Sequence, residues 1–317
     1  MKAVLMQFVD RILIAAGRLM PPGLMRHWLW LIRKDPQISD AWGFHIRPIH
    51  YYEPLPDFRT VAPSLCNRRR DSPGIDFALT RQVALLNSLA LQSRAELNEI
   101  VQAGSFDFAN SWFTGPDACT YYALVRHLKP RRIVEIGAGY STRIASLAIA
   151  RNDAEGRPSE ITCIEPNPDY RLTEASASFK LIAKPVQDVP LSLFDELSEN
   201  DILMIDSSHV ATIGSDVCYE FLDIVPRLKP GVWVHVHDIY FPTDYPPAWV
   251  IAERRAYNEQ YLLEAFLSGN NSFAPRLAIH WLALDHRGAI DALCPPESLS
   301  NIAPEQLGSS FWMRRDR

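Results

Sequence analysis

A short glycine-rich turn is the first part of the chain whose residue types suggest chemistry. Residues 131–142 read RRIVEIGAGYST, so a charged pair and a short apolar run containing Glu135 precede two glycines, Gly137 and Gly139. Glycine lets the backbone approach a ligand closely and adopt dihedral angles that other residues avoid. Such a turn is typical of sites that hold a dinucleotide, a phosphate or a small adenosyl cofactor.

A second acidic residue, Glu165, helps to distinguish between these candidate ligands. Glu165 ends the segment ITCIEP, where a carboxylate can accept hydrogen bonds from the two hydroxyls of a ribose. The dinucleotide fingerprint G-x-G-x-x-G is incomplete, because the sixth position of GAGYST is Thr142. Glu135 is unfavourable beside a pyrophosphate and favourable beside the cationic amino group or sulfonium of S-adenosylmethionine. These residues favour the methyl donor over NAD.

Ionisable side chains follow two later apolar runs, DILMID and GVWVHVHDI. They are Asp206, Ser207, Ser208, His209, His235, His237 and Asp238. Methylating a hydroxyl requires that a proton is removed and that the acceptor oxygen is held in line with the methyl group. The near-neutral pKa of imidazole suits the first task, so His209 is the predicted base. Asp206, Asp238 and His237 are expected beside the reacting atoms, and His235, deeper in its strand, is expected to be a core residue.

The pattern of apolar runs predicts the elements that position these residues. From residue 131 onward, short apolar runs alternate with helical stretches five times, and two further strands are predicted in RLAIHWLAL and SSFWMRR. The runs are uniformly apolar, as expected for parallel strands buried on both faces. The prediction is a doubly wound, mostly parallel, seven-stranded α/β sheet, in which ligands bind at the carboxyl ends of the strands.

The chain ahead of this sheet is predicted to be a helical, loop-rich extension, residues 1–114, followed by the ligand-binding domain, residues 115–317. Residues 35–75 are rich in proline, which fixes φ and removes a hydrogen-bond donor, so a loop or arm is predicted there. Helical periodicity follows over residues 75–103 and 116–128. The extension is expected to serve as a lid, a dimer contact or a membrane-surface contact.

Apolar residues dominate the first 34 positions, together with basic side chains and two tryptophans, Trp28 and Trp30. Asp10 and Arg11 interrupt the apolar stretch, so neither a membrane span of about 20 residues nor a signal peptide is predicted. The segment is expected to pack on the protein's own body or on a second copy in a homodimer, because amphipathic helices usually cover cores. A helix lying on the inner membrane surface is the open alternative.

Composition limits the class of partner. The net charge of -5 and the isoelectric point near 6.0 argue against a nucleic-acid binder, which needs a basic surface. The five cysteines form no C-x-x-C pair, so neither a disulfide framework nor a zinc site is indicated. A cytoplasmic protein is therefore expected.

Taken together, these motifs resemble the class I S-adenosylmethionine-dependent methyltransferases. VEIGAGYST is similar to the cofactor loop of that family, IEP to its ribose-binding strand end, and DILMIDSSHV and LKPGVWVHVHDIYFP to its fourth and fifth strands. The resemblance covers roughly residues 115–285. It extends to a branch whose fourth and fifth strands end in D-x-x-H and H-D, which includes small-molecule and sugar O-methyltransferases.

The resemblance implies S-adenosylmethionine as the cofactor and assigns roles to individual positions. Gly137 and Gly139 would flank the methionine moiety, and Glu165 would bind the ribose. Asp188, in KPVQDVP, falls where such enzymes contact the adenine amino group. Ser141 occupies a position where many members have a third glycine, and its small side chain at a helix start is expected to preserve the loop.

A divalent metal is an open alternative within the same resemblance. In the catechol-type branch, acids at these two strand ends hold Mg²⁺, which lowers the pKa of the acceptor hydroxyl. Asp206 and Asp238 match those positions. Ile239 follows where that branch usually has an amide or acid ligand, which weakens the case for metal.

The predicted function is in-line methyl transfer to an oxygen of a small molecule or glycan, with the loop FPTDYPPAWV as an aromatic rim around the acceptor. Two alternatives stay open. An NAD-dependent oxidoreductase would bind the nicotinamide cofactor and not the methyl donor. A non-catalytic cofactor-binding partner protein would bind the methyl donor without turnover.

Overall fold

Contacts within the computed structural model, which describes residues 19, 21–173, 179–300, 302 and 307–317, divide the chain into two units. In the first, Met1–Thr60, the described residues form helices α1 (Pro22–Arg33) and α2 (Pro36–Trp42). The second, Val61–Arg317, contains the sheet. The contacts thus change at residue 60 rather than at 114, because the long helix Leu79–Ala103 packs within the second unit.

The seven predicted apolar runs form one sheet. Its strands are β1 (Arg132–Ile136), β2 (Glu160–Ile164), β3 (Lys180–Ile182), β4 (Ile202–Ile205), β5 (Trp233–Val236), β6 (Phe273–Ala278) and β7 (Phe311–Arg315). Their order is β3-β2-β1-β4-β5-β7-β6. The first five strands are parallel, and β7 is antiparallel to both β5 and β6. From β1 the chain adds β2 and β3 on one side and then crosses over to add β4 and β5 on the other side. A ligand crevice is expected at this switch point, at the carboxyl ends of β1 and β4.

Helices cover both faces of the sheet. Those of the second unit are α3 (Pro63–Cys66), α4 (Leu79–Ala103), α5 (Gly115–Leu128), α6 (Tyr140–Ala154), α7 (Tyr170–Thr173), α8 (Ser192–Asp195), α9 (Asp216–Tyr219), α10 (Glu259–Leu267), α11 (Ile279–Asp285) and α12 (Arg287–Leu293). Successive strand residues point to opposite faces. Accordingly, Ile133 joins one core, with α4, α5 and α6, while Val134 joins a second core, with α10. Both faces are therefore buried, as the uniformly apolar runs predict.

Some local predictions differ from the structure. The run RLAIHWLAL is strand only to Ala278, and α11 then begins at Ile279, because a continuous apolar run has no period that separates a strand from a buried helix. The helix predicted near 168–178 is seen at Tyr170–Thr173, and residues 174–178 lie outside the described part. Most of the predicted amphipathic segment before Pro22 also lies outside it. Across the described ranges, every helix is too short or too polar to cross a membrane.

Candidate functional site

The carboxyl ends of the central strands border a cavity of about 880 Å³. This volume lies within the range of small-molecule sites. Eight of the ten predicted site residues line it, namely Gly137, Gly139, Ser141, Glu165, Asp206, His209, His237 and Asp238. The topology thus brings the glycine turn and the later ionisable cluster to one place, as expected from parallel strands that end at the same edge.

The glycine turn is pressed against the end of β4. Gly137 has φ +78°, and a Cβ placed there would lie 1.9 Å from the carbonyl oxygen of Asp206. Its N–H donates to the carbonyl oxygen of Ile164 at 3.0 Å. Helix α6 begins directly afterwards, and Ser141, in its first turn, is buried against the cavity. Glycine at position 137 is therefore required both by backbone angle and by space.

Glu135 does not line the cavity, so its predicted direct contact with the cofactor needs correction. The side chain is fully buried, and its carboxylate accepts a 2.8 Å hydrogen bond from the hydroxyl of Tyr121 and another from the hydroxyl of Thr142. Thr142 in turn accepts from the N–H of Gly139 at 3.2 Å. Glu135 therefore holds the turn from beneath. The charge argument that paired it with a cationic ligand does not apply.

Burial raises the pKa of Glu135 to about 7, against the hydrogen bonds from Thr142 and Tyr121, which lower it. A carboxyl whose folded-state pKa is raised contributes stability fully below its ordinary pKa of about 4.5 and loses it as pH rises through about 7. Glu135→Gln cannot ionise. We therefore expect its melting temperature to gain on wild type between about pH 5 and about pH 8, by the equivalent of about 3 kcal/mol.

Thermal melts of both proteins across that pH range would measure this effect. Glu160→Gln, at the exposed start of β2, is the control and should track wild type. A constant offset between Glu135→Gln and wild type at every pH would contradict the assignment.

The second predicted acid, Glu165, lies beside the glycine turn. Glu165 is half-buried between the main cavity and an adjoining one of about 400 Å³, and it faces both. Its carboxylate accepts from the N–H of Asn167 at 2.8 Å and, weakly, from that of Ala138 at 3.4 Å. These bonds fix its position beside the glycine turn and leave acceptor capacity for two hydroxyls.

Asp188 does not line either cavity, which corrects its predicted adenine contact. It ends a short 3₁₀ turn, Val186–Asp188, and its side chain is exposed to solvent. The neighbours Val186 and Gln187 line the smaller cavity instead. Successive side chains of a 3₁₀ turn point about 120° apart. A shift of one residue therefore changes which side chain faces the cavity.

His209 lies at the centre of a group of carboxylates. Its Nδ1 is 2.8 Å from Glu259, and its Nε2 is 3.4 Å from both Asp206 and Asp238. Burial acts to lower the pKa of His209, but the hydrogen bonds and charges of these acids outweigh it and hold the pKa well above its ordinary value. These acids therefore favour the protonated form of His209, which weighs against its predicted role as the base.

His237 forms a second cationic position on the other side of Asp206. Its Nδ1 is 3.3 Å from Asp206 and 3.5 Å from Asp238, and its Nε2 is 3.7 Å from Asp117. Burial again acts to lower the pKa of His237, and the charges of Asp206 and Asp238 raise it well above the ordinary value. Carboxylate and imidazole groups therefore alternate in this cluster.

Asp206 is the member of this cluster that faces the cavity most openly. Its side chain is 28% exposed, against 13% for Asp238. Burial acts to raise the pKa of Asp206, but the adjacent charges of His237 and His209 outweigh it and hold the pKa well below its usual range. An oxygen of the Asp206 carboxylate is thus presented to whatever occupies the cavity.

Two residues of the cluster have left-handed backbone conformations. His209 has φ +61° and Asp238 has φ +55°. Residues other than glycine rarely adopt such angles, and when they do so the strain is often found at functional sites.

His235 confirms the expectation of a core histidine. It is fully buried in β5, with its Nε2 2.8 Å from the hydroxyl of Ser310. Burial and the nearby charge of His237 lower the pKa of His235 to about 3, so it stays neutral.

The acids do not fit a Mg²⁺ site. Asp206 and Asp238 each face two histidine nitrogens at 3.3–3.5 Å, whereas Mg²⁺ prefers six oxygen ligands. Among the described residues, no group of three or more histidine, cysteine or acidic side chains has an arrangement that could hold a metal ion. We derive no step through a metal.

The structure adds residues that sequence reasoning missed. Asp117, at the start of α5, accepts hydrogen bonds from the N–H groups of Ser309 and Ser310, at distances down to 2.7 Å, and so fixes the entry to β7 beside His237. Glu259 is buried and orients His209. These pairs lie far apart in sequence, so no local motif marks them. Their only signal is an acid at or near the start of a helix, which capping alone explains.

Aromatic side chains line part of the cavity, and of the predicted rim FPTDYPPAWV it is Trp249 that is among them. Trp249 lies edge-on to Tyr240, with ring centroids 5.5 Å apart, and 5.9 Å from Tyr257. The ring of Tyr257 is 4.9 Å from that of His209. All three aromatic residues line the cavity, as does Arg255, whose guanidinium lies 4.3 Å from the ring of Trp249.

Comparison with known proteins gives the family. Residues 134–239, which span β1 to the end of β5 and most of the predicted site, match the family model of a methyltransferase domain. An uncharacterised protein of Archaeoglobus fulgidus is 31% identical over 169 residues, which cover 49% of this chain and 75% of that protein.

Solved structures of O-methyltransferases are also found by comparison, at low sequence identity and low TM-score. TomG of Streptomyces achromogenes, involved in tomaymycin synthesis and solved with S-adenosylmethionine, is 15% identical, with 80% of this chain and 93% of that chain covered and a TM-score of 0.39. An O-methyltransferase of Bacillus cereus, in complex with S-adenosylhomocysteine, is 12% identical, with 73% and 90% covered and a TM-score of 0.40. On the family model, residues 134–239 belong to a methyltransferase domain, which agrees with the methyltransferases that the sequence motifs resemble.

Proposed function

We propose that this methyltransferase acts on a hydroxyl group of a small molecule or glycan. The observation that carries the proposal is one cavity that is lined both by the glycine turn with Glu165 and by the cluster of Asp206, His209 and Asp238. A methyl donor and an acceptor can therefore meet in one space. The two alternatives, a nicotinamide oxidoreductase and a non-catalytic binding protein, have no feature of the cavity in their favour.

The residues fit S-adenosylmethionine. A half-buried carboxylate, Glu165, faces both cavities and suits the ribose hydroxyls, while Gly137 and Gly139 leave the turn without side chains beside it. The ionised Asp206 lies near the turn and favours a positive sulfonium. When bound, the cofactor supplies an electrophilic methyl group to the acceptor. The chain itself supplies orientation, a negative potential and a place for the proton.

Asp206 is the proposed acceptor of the hydroxyl proton. The neighbouring acids raise the pKa of both His209 and His237, which disfavours these imidazoles as proton acceptors, while Asp206 faces the cavity with a carboxylate oxygen. A hydroxyl that donates to this carboxylate is also held in a fixed direction for in-line attack. Asp238 accepts a 3.2 Å hydrogen bond from the hydroxyl of Ser309. It is the second carboxylate that could accept the proton.

The wall of the cavity supports a polyhydroxylated acceptor. Aromatic faces from Tyr240, Trp249 and Tyr257 offer flat apolar surfaces, while Asp206 and Asp238 offer carboxylate oxygens as acceptors for hydroxyl groups. Such a mixture suits a ring that has apolar faces and polar edges. A sugar or another cyclic polyol has this character.

Replacement of Glu165 tests the cofactor side of the site. In Glu165→Ala we expect the affinity for S-adenosylhomocysteine, measured by calorimetric titration, to fall at least tenfold, because hydrogen bonds to a charged group contribute about 1.5–3 kcal/mol. Glu160→Ala, at the other end of the same strand, is the matched control and should bind as wild type.

The outcomes separate the alternatives. Unchanged affinity in Glu165→Ala would contradict the assigned ribose contact. A wild-type protein that binds NAD and not S-adenosylhomocysteine would overturn the proposal as a whole. Binding without methyl transfer to any hydroxylated acceptor in a radiolabelled-methyl screen would favour the non-catalytic alternative.

A further inference from the structure

We propose that helix α1 binds the surface of an anionic lipid bilayer, lying along it rather than crossing it. This inference does not depend on the proposed methyl transfer, because α1 belongs to the first unit of the chain and the cavity to the second. It rests on exposed apolar side chains, on charge and on the placement of tryptophan.

Helix α1 exposes an apolar stripe. Leu24, Trp28 and Leu31 are spaced four and three residues apart, so they share one face of the helix. They are 61%, 49% and 48% exposed. Large apolar residues aligned along one exposed face mark an interaction surface more often than isolated ones do.

The charge of this part of the chain is opposite to that of the rest. From Pro22 to Lys34 the sequence contains Arg26, Arg33 and Lys34 and no acid. Residues 1–34 carry six of the 32 basic residues and one of the 37 acidic residues, so their net charge is +5 and that of residues 35–317 is -10. An anionic membrane repels the larger part and attracts this segment, at about 1 kcal/mol per basic residue near the surface.

The aromatic residues favour a lipid surface over a second copy of the chain. Trp28 lies on the apolar stripe, and Trp30 lies toward the basic face, where the ammonium group of Lys34 is 3.6 Å from its ring centroid. Tryptophan beside basic residues is typical of helices at the boundary between headgroups and acyl chains. A contact with the acidic surface of a second copy would explain the basic residues of α1. It would not explain why the two tryptophans lie beside them.

Vesicle sedimentation with the full chain tests the inference. We expect the protein to sediment with phosphatidylcholine vesicles that contain about 30% phosphatidylglycerol, and to remain in solution with phosphatidylcholine alone or at high salt. Leu24→Ser/Leu31→Ser and, separately, Arg26→Glu/Arg33→Glu should each lower the partition coefficient at least tenfold. Leu91→Ser, at a highly exposed leucine of α4, and Arg68→Glu/Arg157→Glu are the matched controls and should partition as wild type.

S-adenosylhomocysteine titration of every variant confirms that the second unit is folded and keeps this test separate from the function proposed above. Absence of sedimentation with anionic vesicles at low salt would overturn the inference, as would equal binding to neutral and anionic vesicles. Sedimentation velocity supplies the remaining outcome. A dimer that dissociates in Leu24→Ser/Leu31→Ser, without vesicle binding by wild type, would assign the helix to self-association instead.

Discussion

Asp206→Asn is expected to lower kcat by about 10²–10⁴-fold, the range that a positioned proton acceptor contributes. The amide keeps the shape of the carboxylate but accepts a proton far less readily. It also leaves His209 and His237 with one fewer counter-charge, 3.4 Å and 3.3 Å from their nitrogens. The affinity for S-adenosylhomocysteine should change less than about threefold, since that product carries no sulfonium.

Steady-state kinetics on an identified acceptor, combined with calorimetry, measures both effects. Asp195→Asn, at an exposed acid paired with Arg227, controls for the loss of one negative charge and should retain wild-type kcat. Wild-type kcat in Asp206→Asn would assign the proton to another group, and Asp238 would be the next residue to replace. A loss of binding that equals the loss of rate would make Asp206 a binding residue only.

Gly137→Ala is expected to reduce the free energy of unfolding by about 2–5 kcal/mol, which combines overpacking with an unfavourable backbone angle. The new Cβ would lie 1.9 Å from the carbonyl oxygen of Asp206, which is backbone and cannot rotate away. Relief requires that the turn after β1 and the end of β4 move apart. Because both border the cavity, cofactor affinity should fall with stability.

Gly156→Ala separates the two contributions. Gly156 has φ +74°, close to the +78° of Gly137, but a Cβ there meets nothing within 4 Å. Its substitution should cost only the backbone term, about 1–2 kcal/mol, and leave cofactor binding unchanged. Denaturant unfolding of both variants gives the difference. Equal losses would mean that the close approach to Asp206 is not what requires glycine.

The sheet could be predicted because the burial of its strands is visible in the sequence as runs of apolar residues. Strands buried on both faces must be apolar throughout, so β1, β2, β4 and β5 are visible as runs, and their carboxyl ends carry the polar residues of the cavity. The run that contains Leu277 could not be resolved, because α11 is buried as completely as the strand before it.

The chemical state of the site could not be predicted in the same way. His209 is suited to act as a base in isolation, and its cationic state depends on Glu259, fifty residues away, and on two strand ends that meet only in the fold. Glu135 is an acid in an apolar run, which suggested a ligand. Its partners Tyr121 and Thr142 lie on helices either side of β1 in the chain, and sequence does not show that they converge on one carboxylate.

The left-handed backbone at His209 and Asp238 has a consequence for how this family can change. Glycine would adopt φ +61° or +55° without strain, so backbone energy alone favours glycine at both positions. Selection for thermal tolerance alone would replace His209 and Asp238. On the roles proposed above, we expect a related chain with glycine at both positions to bind the cofactor without transferring its methyl group.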